Sequence, residues 1–220
     1  MGEPGGGYAD ATQGRFRGRE AGRSYGPSVG EPPPLVDPRR IGSLVGLLGG
    51  MVFVGSYSPS LGAVVSAIAW GAGLAGVLAA LFAHYVRPVA LGPLPRLSPW
   101  ALAVYLACVV GEIALIAVGS QALVAADRGE LRPALIATVV GVHFIPFAAA
   151  FRERMFYLLG GAVAAVGATG FLAGALGIRR AADAAAVLAG LAMILIIERY
   201  ARGRFALVPS SGPRRQISSP

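Results

Sequence analysis

Two side chains in this sequence could do chemistry in an unusual place. Glu112 and His143 each stand near the middle of a long apolar run, "PWALAVYLACVVGEIALIAVGSQALVA" and "PALIATVVGVHFIPFAAAF". Both groups exchange protons, and both are costly to hold in hydrocarbon. Insertion scales put an acidic residue at the centre of a membrane helix at about 3 kcal/mol. A carboxyl group at that depth must be neutral, paired with a neighbour or wetted. The turn "DRGELR" between the two runs is short, which makes His143 the expected partner. Pro146 follows three residues after His143 and cannot donate to the carbonyl of Val142, so a helix kink and a freed acceptor are expected there. Tyr105, Cys108 and Ser120 fall on the Glu112 face at helical spacing and would extend a weakly polar seam.

This constellation has two readings. One is a proton-responsive or ligand site in a small transporter-like bundle, the default meaning of an intramembrane ionisable residue. The other is a buried Glu–His hydrogen bond that fixes helix register. Catalysis would need convergent acid, base or metal groups. Two residues do not supply them, so the chain is expected not to be an enzyme and to carry no cofactor and no metal. "GAGLAG", Gly71 to Gly76, matches the dinucleotide fingerprint, but it sits inside an apolar run with no strand before it and no partner acid, so it is rejected. The single cysteine, Cys108, excludes an intrachain disulfide and is expected to pack as a small core residue.

The elements that must position these groups follow from composition. Of 220 residues, 55% are hydrophobic and 14% charged, against roughly 25% charged in soluble domains. Six runs are long enough to cross the hydrocarbon core as helices, which takes about 20 residues each. They are about Ile41 to Tyr57, Leu61 to Tyr85, Pro99 to Ala126, Pro133 to Phe151, Met155 to Gly177 and Ala182 to Ile197. Alternating polar residues, which a membrane barrel needs, are absent. The expected fold class is all-α, a polytopic membrane bundle of six transmembrane helices (39–200). Residues 1–38 and 201–220 read as disordered tails, the first rich in Gly, Arg and Pro.

All 19 basic residues are arginine, and the net charge is +8. With six spans, fifteen arginines fall on the side of the termini, and Arg128, Arg132, Arg179 and Arg180 fall opposite. The positive-inside rule then places both termini in the cytoplasm. Arg152 and Arg154 in "FRERM" read as anchors at headgroup level, so the expected partners are the lipid bilayer and its anionic headgroups. No nucleic-acid partner is expected. His84 is expected at the interface, Trp70 in packing, Trp100 and Tyr200 in aromatic belts, and Glu198 in a solvated pair with Arg199.

Gly42, Gly46 and Gly50 form one small-residue ridge, and Gly170 and Gly174 a second. Such ridges let helices approach closely, within the bundle or across a homo- or hetero-oligomer. The stretch "GVHFIPFAAAFR", Gly141 to Arg152, carries an H-F-x-P-x-x-x-x-F-R pattern. It resembles small bacterial multi-spanning membrane proteins of uncharacterised function. The likeness covers about one span and implies a bacterial cytoplasmic membrane location without an assigned activity.

Overall fold

The chain is all helical in a computed structural model, which describes residues 35–89, 99–151 and 153–205. Six long helices follow one another: α1 (Pro38–Tyr57), α2 (Ala63–Leu81), α3 (Pro99–Ala125), α4 (Arg132–Phe151), α5 (Met155–Ala175) and α6 (Ala181–Ala201). All six are long and apolar enough to cross a membrane. The expected tails lie outside the described residues apart from their inner ends, and there the helices run further than the apolar pattern alone indicates. Asp37 caps α1 by accepting the Arg39 backbone N–H at 2.9 Å, and Pro38 supplies the first turn. At the other end α6 continues past Ile197 through Glu198, Arg199, Tyr200 and Ala201.

The bundle is built around α6. Burial covers 61% of its membrane window, against 6% for α3. This follows from composition: α6 is alanine-rich with a glycine, Gly190, at its crossing with α1, so its neighbours can come close on several sides. A Cβ on Gly190 would stand 2.5 Å from the carbonyl oxygen of Gly50. Helices α1, α2, α4 and α5 pack on α6, and α4 and α5 form the tightest pair. Among the described residues, α3 packs substantially against α4 alone. The longest helix is therefore also the most peripheral.

The glycine ridges are used in part. Gly46 faces Ile197 and Gly50 faces Gly190 and Ile194 on α6. Gly170 lies against Ala181 and Ala185, and Gly174 against Leu131. Gly42 does not belong with them, because a Cβ there would meet nothing within 4 Å. The buried positions of this stretch are Arg40, Ser43 and Leu47, so the first glycine of that ridge points away from the bundle. Outside these ridges, Gly141 of α4 meets the backbone of Ala164 on α5 closely.

Candidate functional site

Glu112 is the central residue of α3, and His143 lies within two residues of the centre of α4. At about 1.5 Å rise per residue, both reach the mid-depth of the bundle. The α3–α4 contact brings them together: His143 Nδ1 lies 3.5 Å from Glu112 Oε2. This is ion-pair distance, too long for a strong hydrogen bond. Both side chains are mostly covered, 13% exposed for His143 and 20% for Glu112.

An aromatic cluster surrounds the imidazole. The Phe144 and Phe147 rings lie 4.1 and 5.2 Å from it, Phe147 edge-on. Tyr105 of α3 stacks on Phe147 at 5.5 Å. Phe151 and Phe156 extend the cluster towards the α4–α5 turn. Tyr105 is thus joined to the site through a ring contact rather than a hydrogen bond with the pair, and 42% of it stays exposed. Cys108 is half-buried on the same face, and Ser120 is buried further along α3, its hydroxyl without a partner among the described residues. Among the described residues no hydrogen bond joins Tyr105, Cys108, Glu112 and Ser120 to one another.

Helix α4 runs through Pro146 without interruption, and Pro146 and Val142 lie on its exposed face. The freed Val142 carbonyl expected beside His143 is thus on the side away from the pair's covered face. Of the two best-formed clefts, neither is lined by Glu112 or His143. One lies between the α3–α4 and α5–α6 turns, and the other is an apolar groove of α1 and α2 lined by Leu44, Leu48 and Met51. No group of three metal-ligating side chains occurs among the described residues.

A second polar cluster lies at the end that carries both termini. His84 is fully buried, in a π-helical turn, Phe82–Val86, that closes α2. Such a turn leaves carbonyls without their usual helical donors. Arg40 supplies replacements, donating to the His84 carbonyl at 2.6 Å and to the Val89 carbonyl at 3.1 Å. Asp37, also fully buried, accepts two hydrogen bonds from the Arg39 side chain and lies 3.9 Å from Arg40 Nε. Tyr200 is buried with its ring edge-on to His84 at 6.4 Å. Glu198 is buried too and pairs with Arg202 instead of Arg199. In the α4–α5 turn, burial pushes the Glu153 carboxyl above its ordinary range, with Arg39 opposing. Trp70 is half-exposed beside Gly55, whereas Trp100, at the start of α3, is exposed as a belt residue would be. Arg154 is exposed, and Arg152 lies outside the described side chains.

Sequence reasoning missed this second cluster because each of its members lies at a helix end, where a charged residue ordinarily meets water. The one available signal was the closeness of Asp37 to Arg39 and Arg40 at the start of a span.

The chain matches no protein-family model, no curated protein and no solved structure. What the fold defines is a class: a multi-pass membrane protein with six spanning helices.

Proposed function

We propose that this protein is a small transporter-like bundle of the cytoplasmic membrane, both termini cytoplasmic, in which Glu112 and His143 form an intramembrane proton-binding site. The observation that carries the reading is the 3.5 Å approach of the two groups at mid-depth. A carboxyl group so placed is held at a standing cost, and a partner that can lend or take a proton lowers that cost in either state. The pair also bridges the bundle to its most loosely held helix. Its protonation state can therefore bias how α3 sits on α4. The orientation rests on the arginine imbalance. No catalytic step, cofactor or metal is part of the proposal.

The test is proton uptake into proteoliposomes under an imposed pH gradient, read with an entrapped pH-sensitive dye. Glu112→Gln and His143→Ala are expected to abolish uptake while the protein stays monodisperse. Uptake equal to wild type in both variants sinks the proposal. A second reading, an accessory subunit that binds partners through its helix faces, is favoured by α3, of which so little is covered within the chain. Loss of folded yield in both variants, with no uptake by wild type, favours that reading.

A further inference from the structure

We propose that the Glu112 site takes up a lipophilic organic cation from the bilayer, in exchange for the Glu112 proton. This rests on reading Glu112 as a proton-binding group and adds the class of ligand.

The first argument is charge. Glu112 is the one carboxylate in the interior of any span, and every other acidic residue lies at a helix end, in a turn or in the tails. No arginine shares its depth. When Glu112 gives up its proton, the negative charge left in hydrocarbon has, among the described residues, His143 as its one ion-pair partner. A cation already dissolved in the membrane fills that need without carrying in water. The exchange balances: the carboxylic acid and the free cation become a carboxylate–cation pair and one proton, which leaves to solvent. No covalent bond to the ligand forms.

The second argument is access. Neither of the two best-formed clefts is lined by Glu112 or His143. What is open is the lateral side, where Glu112 retains part of its exposure and Tyr105 more. Helix α3 packs substantially against α4 alone, so this flank faces acyl chains. A strongly hydrated solute has no path there, whereas a ligand that partitions into lipid reaches the seam directly.

The third argument is the surface that the ligand would meet. Tyr105 lies two turns from Glu112 on the same helix face. Its ring is stacked on Phe147, and Phe147 is edge-on to His143. Aromatic faces beside a carboxylate suit a bulky cation with delocalised charge and greasy substituents. A small metal cation would instead want a cage of oxygens, and the site offers one carboxylate.

The experiment uses the full chain in lipid nanodiscs with tetraphenylphosphonium as probe, tetraphenylmethane as its uncharged counterpart and empty nanodiscs as the partition blank. Wild type is expected to bind the phosphonium saturably and to release one proton per cation in unbuffered solution. Apparent affinity should fall about tenfold per pH unit once Glu112 is protonated. Glu112→Gln should remove both saturable binding and proton release. Tyr105→Leu, which keeps an apolar side chain, should weaken binding about three- to tenfold. Phosphonium binding that is equal in wild type and Glu112→Gln, or no stronger than tetraphenylmethane binding, overturns the proposal. If Glu112-dependent proton uptake persists in liposomes without saturable cation binding, the ligand class is wrong and the proton site stands. If proton uptake is also independent of Glu112, both fall together.

Discussion

The sharpest structural prediction concerns Gly141. A Cβ at this position would lie 2.6 Å from Ala164 Cα and 2.8 Å from Ala164 Cβ, and closer still to the Ala164 nitrogen. Ordinary carbon contacts stand at about 3.5–4.0 Å, so α4 and α5 would have to part by about 1 Å. No rotamer change can relieve this, because two of the three atoms met are backbone. The crossing is also shared. A Cβ on Gly160 would approach the Gly141 carbonyl at 2.8 Å, and one on Gly167 the Thr138 nitrogen at 2.5 Å. Overpacking of this kind costs about 1–3 kcal/mol, and the backbone neighbours put Gly141→Ala at the upper end. Replacing a mid-helix glycine by alanine returns about 0.8–1 kcal/mol. The net expectation is a loss of about 1–2 kcal/mol, or a fall in Tm of roughly 2–8 °C for a chain of this size. Gly42→Ala is the matched control, since its Cβ meets nothing within 4 Å. It should leave Tm unchanged or raise it. The assay is the monodisperse fraction remaining after heating in detergent, measured by size-exclusion chromatography. If Gly141→Ala melts at or above Gly42→Ala, the close α4–α5 crossing is refuted.

Two further predictions concern the cluster at the end bearing the termini. Arg40→Met removes the donors to the His84 and Val89 carbonyls but leaves Asp37 held by Arg39. Two lost charge-assisted hydrogen bonds correspond to about 3 kcal/mol or somewhat more, so the heated monodisperse fraction should fall well below wild type. An unchanged melting profile would show that the π-helical turn does not depend on Arg40. Glu153 is a carboxyl whose folded pKa is raised from its ordinary 4.5 by burial, so the folded state holds the proton more tightly than the unfolded state. Stability should therefore decline as pH climbs from about 4.5 through the raised value, and Glu153→Gln should flatten that decline. A Tm-against-pH profile that is identical in the two proteins contradicts the assignment.

The spans were legible in the sequence because they depend on length and hydropathy, which the bilayer thickness converts directly into helix count. The meeting of Glu112 with His143 was legible for a related reason. Both are central in neighbouring spans joined by a short turn, so their depths had to agree and only the helix faces were open. The hub role of α6 was not legible, because its alanine-rich pattern has no polar side to mark a direction in lipid. The ridge on α1 shows the same limit. Spacing groups Gly42 with Gly46 and Gly50, but where the α6 crossing begins depends on the tilt of two helices, which no local pattern carries. Position near a helix end points His84 and Tyr200 to the interface and Glu198 to a solvated pair, yet all three are buried. Arg40 reaches the His84 carbonyl from a different helix, which no local pattern carries.

The two polar clusters differ in a way that bears on function. At the end bearing the termini, Arg40 spans α1 and the end of α2, its donors meet carbonyls, and Asp37 is held by a second arginine. These bonds tie α1 to the end of α2 at several points, while His84 Nε2 makes no hydrogen bond among the described residues. At mid-depth there is less. The Glu112–His143 contact is a single long one, on a helix packed mainly on one neighbour, and the His143 nitrogen nearest the carboxylate makes no hydrogen bond among the described residues. An interaction meant only to fix register would gain from being shorter and doubly satisfied, as the Arg39–Asp37 fork is. The glycine-tight α4–α5 crossing lies at the same depth as His143, so α4 is the fixed side of the pair and α3 the side free to respond. The bundle thus places several short polar contacts where α1 meets the end of α2 and a single long one where α3 meets α4.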